Sequence, residues 1–428
     1  INTWRYVPKP IVADIETAPM PRNLARAVKI LSEAVKFETD STKPDSEDFG
    51  AFLNFIGASF PRVHAELKHQ LIAGGTPLYL WKGDNPDLGP ILLAAHYDVV
   101  PVSPGSLDRW EHPPYSGTVQ DGFVWGRGTL DNKGALVAIL TTVEEKMEEG
   151  FTPQRDIYLS FGHDEEVGGK GAQAVAQRLN DAGIQLDWIL DEGSFVLEGI
   201  IAGLKRPVAS INISEKGYAT LELVASAPGG HSSLPPRDTA VGRLASALDK
   251  LQNAPVPGGL DGISAEFFDA LGRHFELGQR IVFANQWLFK PLLESILSAS
   301  ATTDAMLRTT TAPTMLQASN KENVLATQAI ATVNFRLHPR DTVESLIAYV
   351  AQVVDDEKVE VRLKGQFASP ASPVSDPTSQ GFLDIEAGVR TVFGPVAAVP
   401  GMTIAATDAR HYAKAAKNAF RINPFKIG

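Results

Sequence analysis

Four short segments of the chain carry acidic or imidazole side chains of the kinds that bind hard or borderline metal ions. His96 ends an apolar run, Asp131 lies 35 residues later among glycines, and Glu166 lies a further 35 residues on, directly after Glu165. Asp191 follows 25 residues after Glu166 in a Leu-Asp-Glu-Gly sequence. A two-metal hydrolase needs such ligands, an open position for water and a base. The spacing therefore indicates a metal-dependent amide hydrolase.

The residue types within these segments suggest a division of labour. Asp98 follows His96 by two residues, so its carboxylate could lie behind the imidazole ring and fix the tautomer of that ring. Glycines around Asp131 permit a sharp turn, which makes its carboxylate the best candidate to bridge two cations. Of the adjacent Glu165 and Glu166, one could bind metal while the other removes a proton from water.

Each feature also has a structural explanation when it is taken singly. A histidine at a strand end is commonly a hydrogen-bonded polar residue, and adjacent glutamates are commonly part of a solvated loop. Asp131 could cap the helix that follows it. Four such segments at sheet edges favour a metal site over these separate explanations. The sequence contains no G-x-S-x-G elbow, no P-loop and no H-E-x-x-H motif.

The composition limits the kinds of partner and of metal site. The chain has 428 residues, a net charge of −11 and no cysteine. Without cysteine there are no disulfides or thiolate ligands, so any metal must be held by histidine and carboxylate. The acidic balance and the lack of a long basic stretch argue against nucleic acid and anionic membrane surfaces as partners. No apolar run is long enough to span a bilayer. With these partners disfavoured, we expect a small-molecule or short-peptide substrate.

Strand and helix patterns alternate in the N-terminal half. Strands are predicted over 91–100, 156–162 and 186–190, and helices over 133–149 and 171–179. Such alternation predicts an α/β fold with a mostly parallel sheet covered by helices on both faces. The ligand candidates then lie at or near the carboxyl ends of strands, where open α/β sheets bind their ligands.

The pattern changes near residue 216 and predicts a second domain. Strands over 217–225, 327–337 and 358–363 combine with helices over 239–251 and 343–354, which favours a smaller α+β domain inserted into the first. A Pro/Ser-rich segment over 367–378 would return the chain to the first domain. We therefore expect a discontinuous catalytic domain formed by residues 1–215 and 367–428, and a lid domain formed by residues 216–366.

These motifs resemble those of the M20 metallopeptidases, and within them the carboxypeptidase S and N-acyl-amino-acid hydrolase branch. The matching stretches are His96-Tyr-Asp-Val-Val-Pro-Val, Trp110-Glu-His-Pro-Pro-Tyr-Ser-Gly117, Asp121-Gly-Phe-Val-Trp-Gly-Arg-Gly-Thr-Leu-Asp-Asn-Lys-Gly134, Phe161-Gly-His-Asp-Glu-Glu-Val-Gly-Gly169 and Gly229-Gly-His-Ser-Ser-Leu-Pro-Pro236. The resemblance covers nearly the whole chain. It implies a zinc-hydrolase-type three-layer αβα catalytic domain with an inserted α+β lid of the dimerisation type.

The resemblance also implies roles for the metal-site residues. His96, Asp131 and Asp191 would hold one zinc ion, and Asp131 and Glu166 the second, with Asp131 as the bridge. Manganese or cobalt could substitute for zinc. Glu165 would be the general base that generates metal-bound hydroxide and later the acid that protonates the leaving nitrogen. A cis peptide bond after Asp131 is expected as well.

In the lid, the resemblance assigns substrate contacts to three residues. His231 would stabilise the oxyanion, and in family members that dimerise through the lid this histidine reaches the active site of the partner. Asn323 and Arg336 would bind the carbonyl and the carboxylate of the substrate, because a guanidinium can direct two N–H groups at a carboxylate. The alternative for Arg336 is an ordinary residue on the surface of a strand. A homodimer through the lid is a further expectation.

The resemblance implies a di-zinc amidohydrolase or carboxypeptidase that cleaves N-acyl amino acids or short peptides with a free carboxylate. A close alternative is a deacetylase or desuccinylase for a polar N-acyl amino acid, and preference for acyl length separates the two. The aromatic-rich segment over 253–298, which includes Trp287, favours a lid core or a subunit interface. A second interpretation is an apolar wall for a long acyl chain.

Two expectations concern the ends of the chain. In the family, a C-terminal histidine completes the second zinc site, but no matching segment follows Phe420 here and His411 matches a different position. We therefore expect either a fragment or a chain that lacks this ligand, in which case binding of the second metal would be weakened and activity lowered or lost. The alternative from another class is a metal-deficient, non-catalytic binding homologue, against which the intact Glu165, His231 and Arg336 argue. The first residue is Ile1 and not Met, which favours a processed N-terminus and a location outside the cytoplasm.

Overall fold

Apolar strands and amphipathic helices alternate through most of the chain in a computed structural model that describes residues 2–8, 18–201, 203–365, 368–423 and 425–428. The strands are β1 (Lys68–Ile72), β2 (Thr76–Trp81), β3 (Ile91–His96), β4 (Thr118–Gln120), β5 (Phe123–Trp125), β6 (Ile157–Gly162), β7 (Leu186–Asp191), β8 (Val196–Leu197), β9 (Val208–Glu215), β10 (Gly217–Ser226), β11 (Gly230–His231), β12 (Thr310–Gln317), β13 (Val324–Leu325), β14 (Gln328–Leu337), β15 (Val359–Leu363), β16 (Ala397–Thr403), β17 (Ala416–Arg421) and β18 (Lys426–Ile427).

The helices begin with a short one-turn segment and include a long helix directly after the glycine-rich turn. They are α1 (Asn2–Arg5), α2 (Leu24–Val35), α3 (Glu47–Ser59), α4 (Pro61–Glu66), α5 (Lys133–Glu148), α6 (Lys170–Asp181), α7 (Ala240–Asn253), α8 (Gly262–Gly272), α9 (Leu277–Ala284), α10 (Gln286–Ser298), α11 (Ala301–Leu307), α12 (Val343–Val354), α13 (Gln380–Phe393) and α14 (Ala409–Tyr412). The helices in the described part of the chain include none that is both long and apolar enough to cross a bilayer.

The larger sheet has the strand order β1-β2-β6-β3-β7-β17-β9-β8-β18, and β16 also pairs with β9. Its centre, from β6 to β17, is parallel, whereas β1 and β2 form an antiparallel hairpin and β2 is antiparallel to β6. The prediction of a mostly parallel sheet is therefore wrong toward the edges. The short turn between β1 and β2 makes an antiparallel pair, since a parallel pair needs a long crossover.

Helices cover both faces of this sheet, because alternate residues of its strands are apolar on each side. Within β3, Leu92 and Ala94 pack on one face with helices α6 and α14. Ala95 belongs to the cluster on the opposite face with helices α2, α3 and α5. Strands buried on both faces are typical of sheets between two helical layers. The expected three-layer αβα architecture is thus confirmed.

A second sheet forms the smaller part of the molecule. Its order is β12-β14-β10-β15, and the pairs are antiparallel. Ala219, Leu221 and Leu223 of β10 are fully buried against helices α7 and α12, while the residues between them point to the other face. One helical layer on an antiparallel sheet is an α+β arrangement.

The described chain divides into two compact units. The larger unit comprises residues 10–213, 375–398 and 407–428, and the smaller unit comprises residues 1–9, 214–374 and 399–406. Residues 2–8 thus depart from the domain limits expected from the sequence. The hydroxyl of Tyr6 donates a hydrogen bond of 2.6 Å to the carbonyl of Asp269 in α8, and the guanidinium of Arg273 lies 4.6 Å from the Tyr6 ring. Phe367, where the return segment was expected to begin, lies outside the described residues.

Candidate functional site

Three neighbouring parallel strands bring the predicted ligands to one edge of the larger sheet. His96 is the last residue of β3 and lies in register with Gly162, the last residue of β6. Glu165 and Glu166 follow β6 in a short 3-10 turn, and Asp191 ends β7. Because the carboxyl ends of parallel strands meet at the same edge, residues far apart in sequence become neighbours.

His96 is at the centre of this edge and is buried, with 1% of its side chain exposed. Its Nε2 lies 2.9 Å from Oδ1 of Asp131 and 3.0 Å from Oε1 of Glu192. Its Nδ1 lies 3.0 Å from the carbonyl oxygen of Asp98 and 3.3 Å from the carboxylate of the same residue. The ring therefore directs Nε2 at two acids and holds Nδ1 against Asp98.

Asp98 connects the imidazole to the glutamate pair. Its carboxylate accepts hydrogen bonds from the backbone N–H of Glu165 at 3.2 Å and from that of Glu166 at 3.0 Å. The strand β3 ends at His96, so Asp98 lies just beyond it and not within it as the sequence suggested. A fully buried carboxylate with these contacts is suited to orient the ring and the turn together.

Asp131 lies in the turn between β5 and α5, and 61% of its side chain is exposed. The peptide bond between Asp131 and Asn132 is cis, which confirms the expectation from the family resemblance. Gly128 has a φ of +87°, and a Cβ at this position would lie 2.8 Å from Val99. The turn therefore requires glycine there to bring Asp131 to the edge of the sheet.

Two overlapping groups of possible ligands share His96. One contains Glu165 and Glu166, and the other contains Asp131 and Glu192; in each group the ligand atoms lie within 4.8 Å of one another. Asp191 belongs to neither group among the described residues, although its side chain is only 4% exposed. The structure brings Glu192, which the sequence reasoning missed, to within 3.0 Å of the His96 ring. The assignment of Asp191 as a ligand stays a prediction.

The carboxylates at this edge of the sheet repel one another electrostatically. Burial raises the pKa of Glu165 well above its ordinary value. Burial and then the charge of Asp131 raise the pKa of Glu166 to about 7. Burial alone would lower the pKa of His96, but the carboxylates around it raise that pKa well above the usual value. A divalent cation would relieve the crowding of these carboxylates, and oxygen and imidazole donors suit zinc. The residues present therefore fit a metal site.

One further acid near this edge was not among the predicted site residues. Asp408 precedes α14 and is 3% exposed, and burial followed by the charge of Asp191 raises its pKa well above the ordinary value. His411 does not join the ligand groups of the described residues, and its Nε2 hydrogen-bonds to the carbonyl of Gly168 at 3.0 Å. The Thr-Asp-Ala-Arg-His segment was visible in the sequence, but nothing in its spacing connected Asp408 to β6.

In the smaller unit, the structure brings His231 and Asn323 into neighbouring segments. His231 in β11 is exposed, its Nδ1 lies 2.8 Å from Oγ of Ser233, and it is in register with Val324. The backbone N–H of Ser232 donates to the carbonyl of Asn323 at 3.1 Å. These two predicted residues therefore lie close to each other at the β11–β13 pair.

Arg336 lies apart from that pair, on the face of the smaller sheet opposite helices α7 and α12. Its guanidinium stacks 5.0 Å from the ring of Tyr218, the cross-strand neighbour in β10. Together with Asn334 and Lys364 it lines an open concavity of about 500 Å³. This concavity contains two cationic groups and an amide, which suits a carboxylate.

The chain is similar to several known proteins. A family model described as Peptidase family M20/M25/M40 matches residues 92–426. A "Probable carboxypeptidase S-like 2" from Dictyostelium discoideum is 42% identical over 97% of this chain and 79% of its own length. An N-fatty-acyl-amino acid synthase/hydrolase from Xenopus tropicalis is 38% identical over 93% of this chain and 78% of its own length. The crystal structure of an M20 family metallo-carboxypeptidase from Sulfolobus solfataricus superposes with a TM-score of 0.64 at 18% identity, covering 94% of this chain and 91% of that one.

Proposed function

Because this chain belongs to peptidase family M20/M25/M40, we propose that it hydrolyses the amide bond of N-acyl amino acids or short peptides that carry a free carboxylate. The observation that carries the proposal is the pair of acidic groups that share His96. The name of the Xenopus relative favours a long acyl group. The name of the Dictyostelium relative favours a peptide with a free C-terminus.

The proposed cofactor is a pair of zinc ions, for which manganese or cobalt could substitute. When bound, such cations polarise the substrate carbonyl and make a water molecule more acidic. His96, Asp131, Glu166 and an acid of the 191–192 pair would hold them. The present geometry favours Glu192 for the last position, since its Oε1 lies 3.0 Å from Nε2 of His96.

The remaining residues have roles on the protein side of the reaction. Glu165 takes a proton from the attacking water and returns it to the leaving nitrogen. Asp98 holds the turn that carries Glu165. His231 stabilises the oxyanion, because hydrogen-bond donors at the developing charge lower the barrier. Asn323 and Arg336 bind the carbonyl and carboxylate of the substrate.

The test is hydrolysis of three amides by zinc-loaded protein: an N-long-chain-acyl phenylalanine, N-acetyl-ornithine and a blocked dipeptide. We expect cleavage of the first, and we expect chelation to abolish it and added zinc to restore it. A preference for N-acetyl-ornithine would assign the polar-acyl alternative, and a preference for the dipeptide would assign a peptidase. The Glu165→Gln variant, purified in the same way, controls for a contaminating hydrolase. Failure of zinc-saturated protein to cleave any of the three would contradict the proposal.

A further inference from the structure

The loop that carries Glu165 and Glu166 has glycine at both ends, and one carboxyl group lies against both glycines. A Cβ added to Gly162 would lie 2.6 Å from Oδ2 of Asp408. A Cβ added to Gly169 would lie still closer to Oδ1 of the same residue. Because real Cβ atoms do not approach oxygen so closely, any side chain at either position would displace Asp408 or the loop.

Asp408 is an unusual residue for such a place. Its side chain is 3% exposed, and its Oδ1 is buried without a hydrogen-bond partner among the described residues. A buried acceptor without a partner is costly to stability. Such groups are rare in native proteins and commonly mark functional positions. Packing alone would be served better by an apolar side chain of similar size.

The segment that begins at Asp408 holds the same loop and strand at two further points. The Nε2 of His411 hydrogen-bonds to the carbonyl of Gly168 at 3.0 Å. The hydroxyl of Tyr412 lies 2.9 Å from Oγ of Ser160, two residues before the end of β6. Three residues of this segment thus contact strand β6, both ends of the loop and Gly168, the residue before its last glycine. They are Asp408, His411 and Tyr412.

We propose that Asp408 is a positioning residue for Glu165. Its carboxyl group occupies the space between Gly162 and Gly169 and thereby fixes the loop in the shape that presents Glu165. This inference rests on the proposed function, in which Glu165 moves the proton. A shift of about 1 Å in a reacting group can lower the rate on the order of 100-fold. Asp408 would therefore control turnover through the shape of the loop and without contact to the substrate.

The first experiment compares Asp408→Ala with the isosteric Asp408→Asn. For the alanine variant we expect kcat to fall about 100-fold, with KM and zinc content unchanged. The asparagine variant, which keeps the shape, should recover most of that loss. Hydrogen exchange of the amides of residues 162–169 should be faster in the alanine variant. An asparagine variant as poor as alanine, or an alanine variant with normal kcat, would overturn the proposal.

The reciprocal experiment uses Gly162→Ala. The nearest atoms to its added methyl group are the Asp408 carboxylate and, at 3.4 Å, the Cβ of His96. We expect a lower kcat in the single variant and a partial recovery in Gly162→Ala/Asp408→Ala, because the second change makes room for the methyl group. Additive losses in this cycle would contradict the proposed contact. If Asp408→Ala alone fails to fold, the asparagine variant and the comparison of Gly162→Ala with Gly162→Ala/Asp408→Ala still test the proposal.

Glu144→Gln is the matched control. Glu144 is a buried carboxylate of the same unit that accepts hydrogen bonds from the N–H groups of Arg62 and Val63, which lie in α4 and outside the loop. Its variant should lose stability but keep kcat and loop exchange. If the wild-type protein cleaves none of the amides, the proposed function fails, and the exchange rates still decide whether Asp408 holds the loop.

Discussion

The metal-ligand candidates of the larger unit are buried or bonded to one another, whereas the candidate substrate-binding residues of the smaller unit are exposed or half-buried and lie in or next to two separate sheets. His96 touches three acids, and Asp98 holds the turn behind them. By contrast, His231 is exposed, and Arg336 lies on a separate open face. The two units thus differ in how firmly their candidate residues are held.

The difference between the units matches how precisely reacting groups and substrate-binding groups must each be placed. Reacting groups must be held within a fraction of an ångström, which strand ends and buried hydrogen bonds achieve. Groups that recognise substrate can lie on surface strands, where different substrates can be accommodated. We therefore expect substitutions in the larger unit to lower kcat or metal affinity, and most substitutions in the smaller unit to change KM or selectivity.

The largest expected effect is that of Glu165→Gln. Removal of a general base typically costs 10²- to 10⁴-fold in rate, so we expect kcat to fall about 1,000-fold. Zinc content, measured by atomic absorption, should not change, because the ligands remain. The control is Glu198→Gln, an exposed glutamate of the same unit that pairs with Lys426. Near-normal turnover in Glu165→Gln would remove the proposed base.

His231→Ala is the exception to the general expectation for the smaller unit. Here we expect an exposed residue of that unit to affect kcat. Loss of one oxyanion donor lowers kcat on the order of 100-fold. We expect that loss with little change in KM. The exposed His69→Ala should behave as wild type. If His231→Ala changed KM alone, His231 would not stabilise the oxyanion. The smaller unit would then affect substrate binding and not the rate of the chemical step.

Asp98→Asn tests whether the buried network holds the metal site. The amide cannot accept two backbone hydrogen bonds at the geometry that the carboxylate uses. Loss of such an orienting partner typically costs 10- to 100-fold in metal affinity. Competition with a fluorescent zinc chelator measures this directly. Unchanged affinity would mean that Asp98 serves the fold and not the metal site.

Arg336→Lys tests whether Arg336 binds the carboxylate of the substrate. Lysine keeps the charge but loses the planar fork that binds both oxygens of a carboxylate. We expect KM to rise about tenfold with kcat nearly unchanged. Arg362→Lys is the matched control, since Arg362 lies on the same sheet and pairs with Glu222. Equal effects in the two variants would indicate that Arg336 is an ordinary surface residue.

The smallest effect is expected for Trp287→Ala. Trp287 in α10 is 77% exposed, so its loss should not destabilise the fold. If the aromatic segment forms a wall for acyl chains, the preference for long over short acyl groups should fall by a few-fold. Relative kcat/KM for C16- and C2-acyl phenylalanine measures this preference. No change would leave the segment as lid core or subunit interface.

Much of the fold could be predicted from apolar periodicity, and the failures have physical causes. The predicted helix over 343–354 matches α12 residue for residue. The strand β12 was missed because its side chains are mostly exposed, it contains Pro313 and it lies at the sheet edge. An edge strand of this kind lacks the apolar alternation that identifies a half-buried strand.

At the site, the spacing of motifs indicated which segments meet, but not which side chain of a segment turns inward. The sequence analysis assigned Asp191 and did not consider Glu192, which the structure places against His96. Successive side chains of a strand point in opposite directions, so the spacing of the motifs does not reveal which of two adjacent acids faces the ring. Asp408 was missed for another reason: its neighbours Gly162 and Gly169 are distant in sequence, and only the fold brings them together.

The placement of α1 has a consequence for how the protein is made. Tyr6 leaves the ribosome well before its hydrogen-bond partner Asp269, which lies 263 residues later in the chain. At 5–20 residues per second, that interval is roughly 13–50 s. Throughout it, the ring of Tyr6 has no native surface to cover it. This segment therefore docks long after its own synthesis, and it remains available to chaperones until α8 has formed.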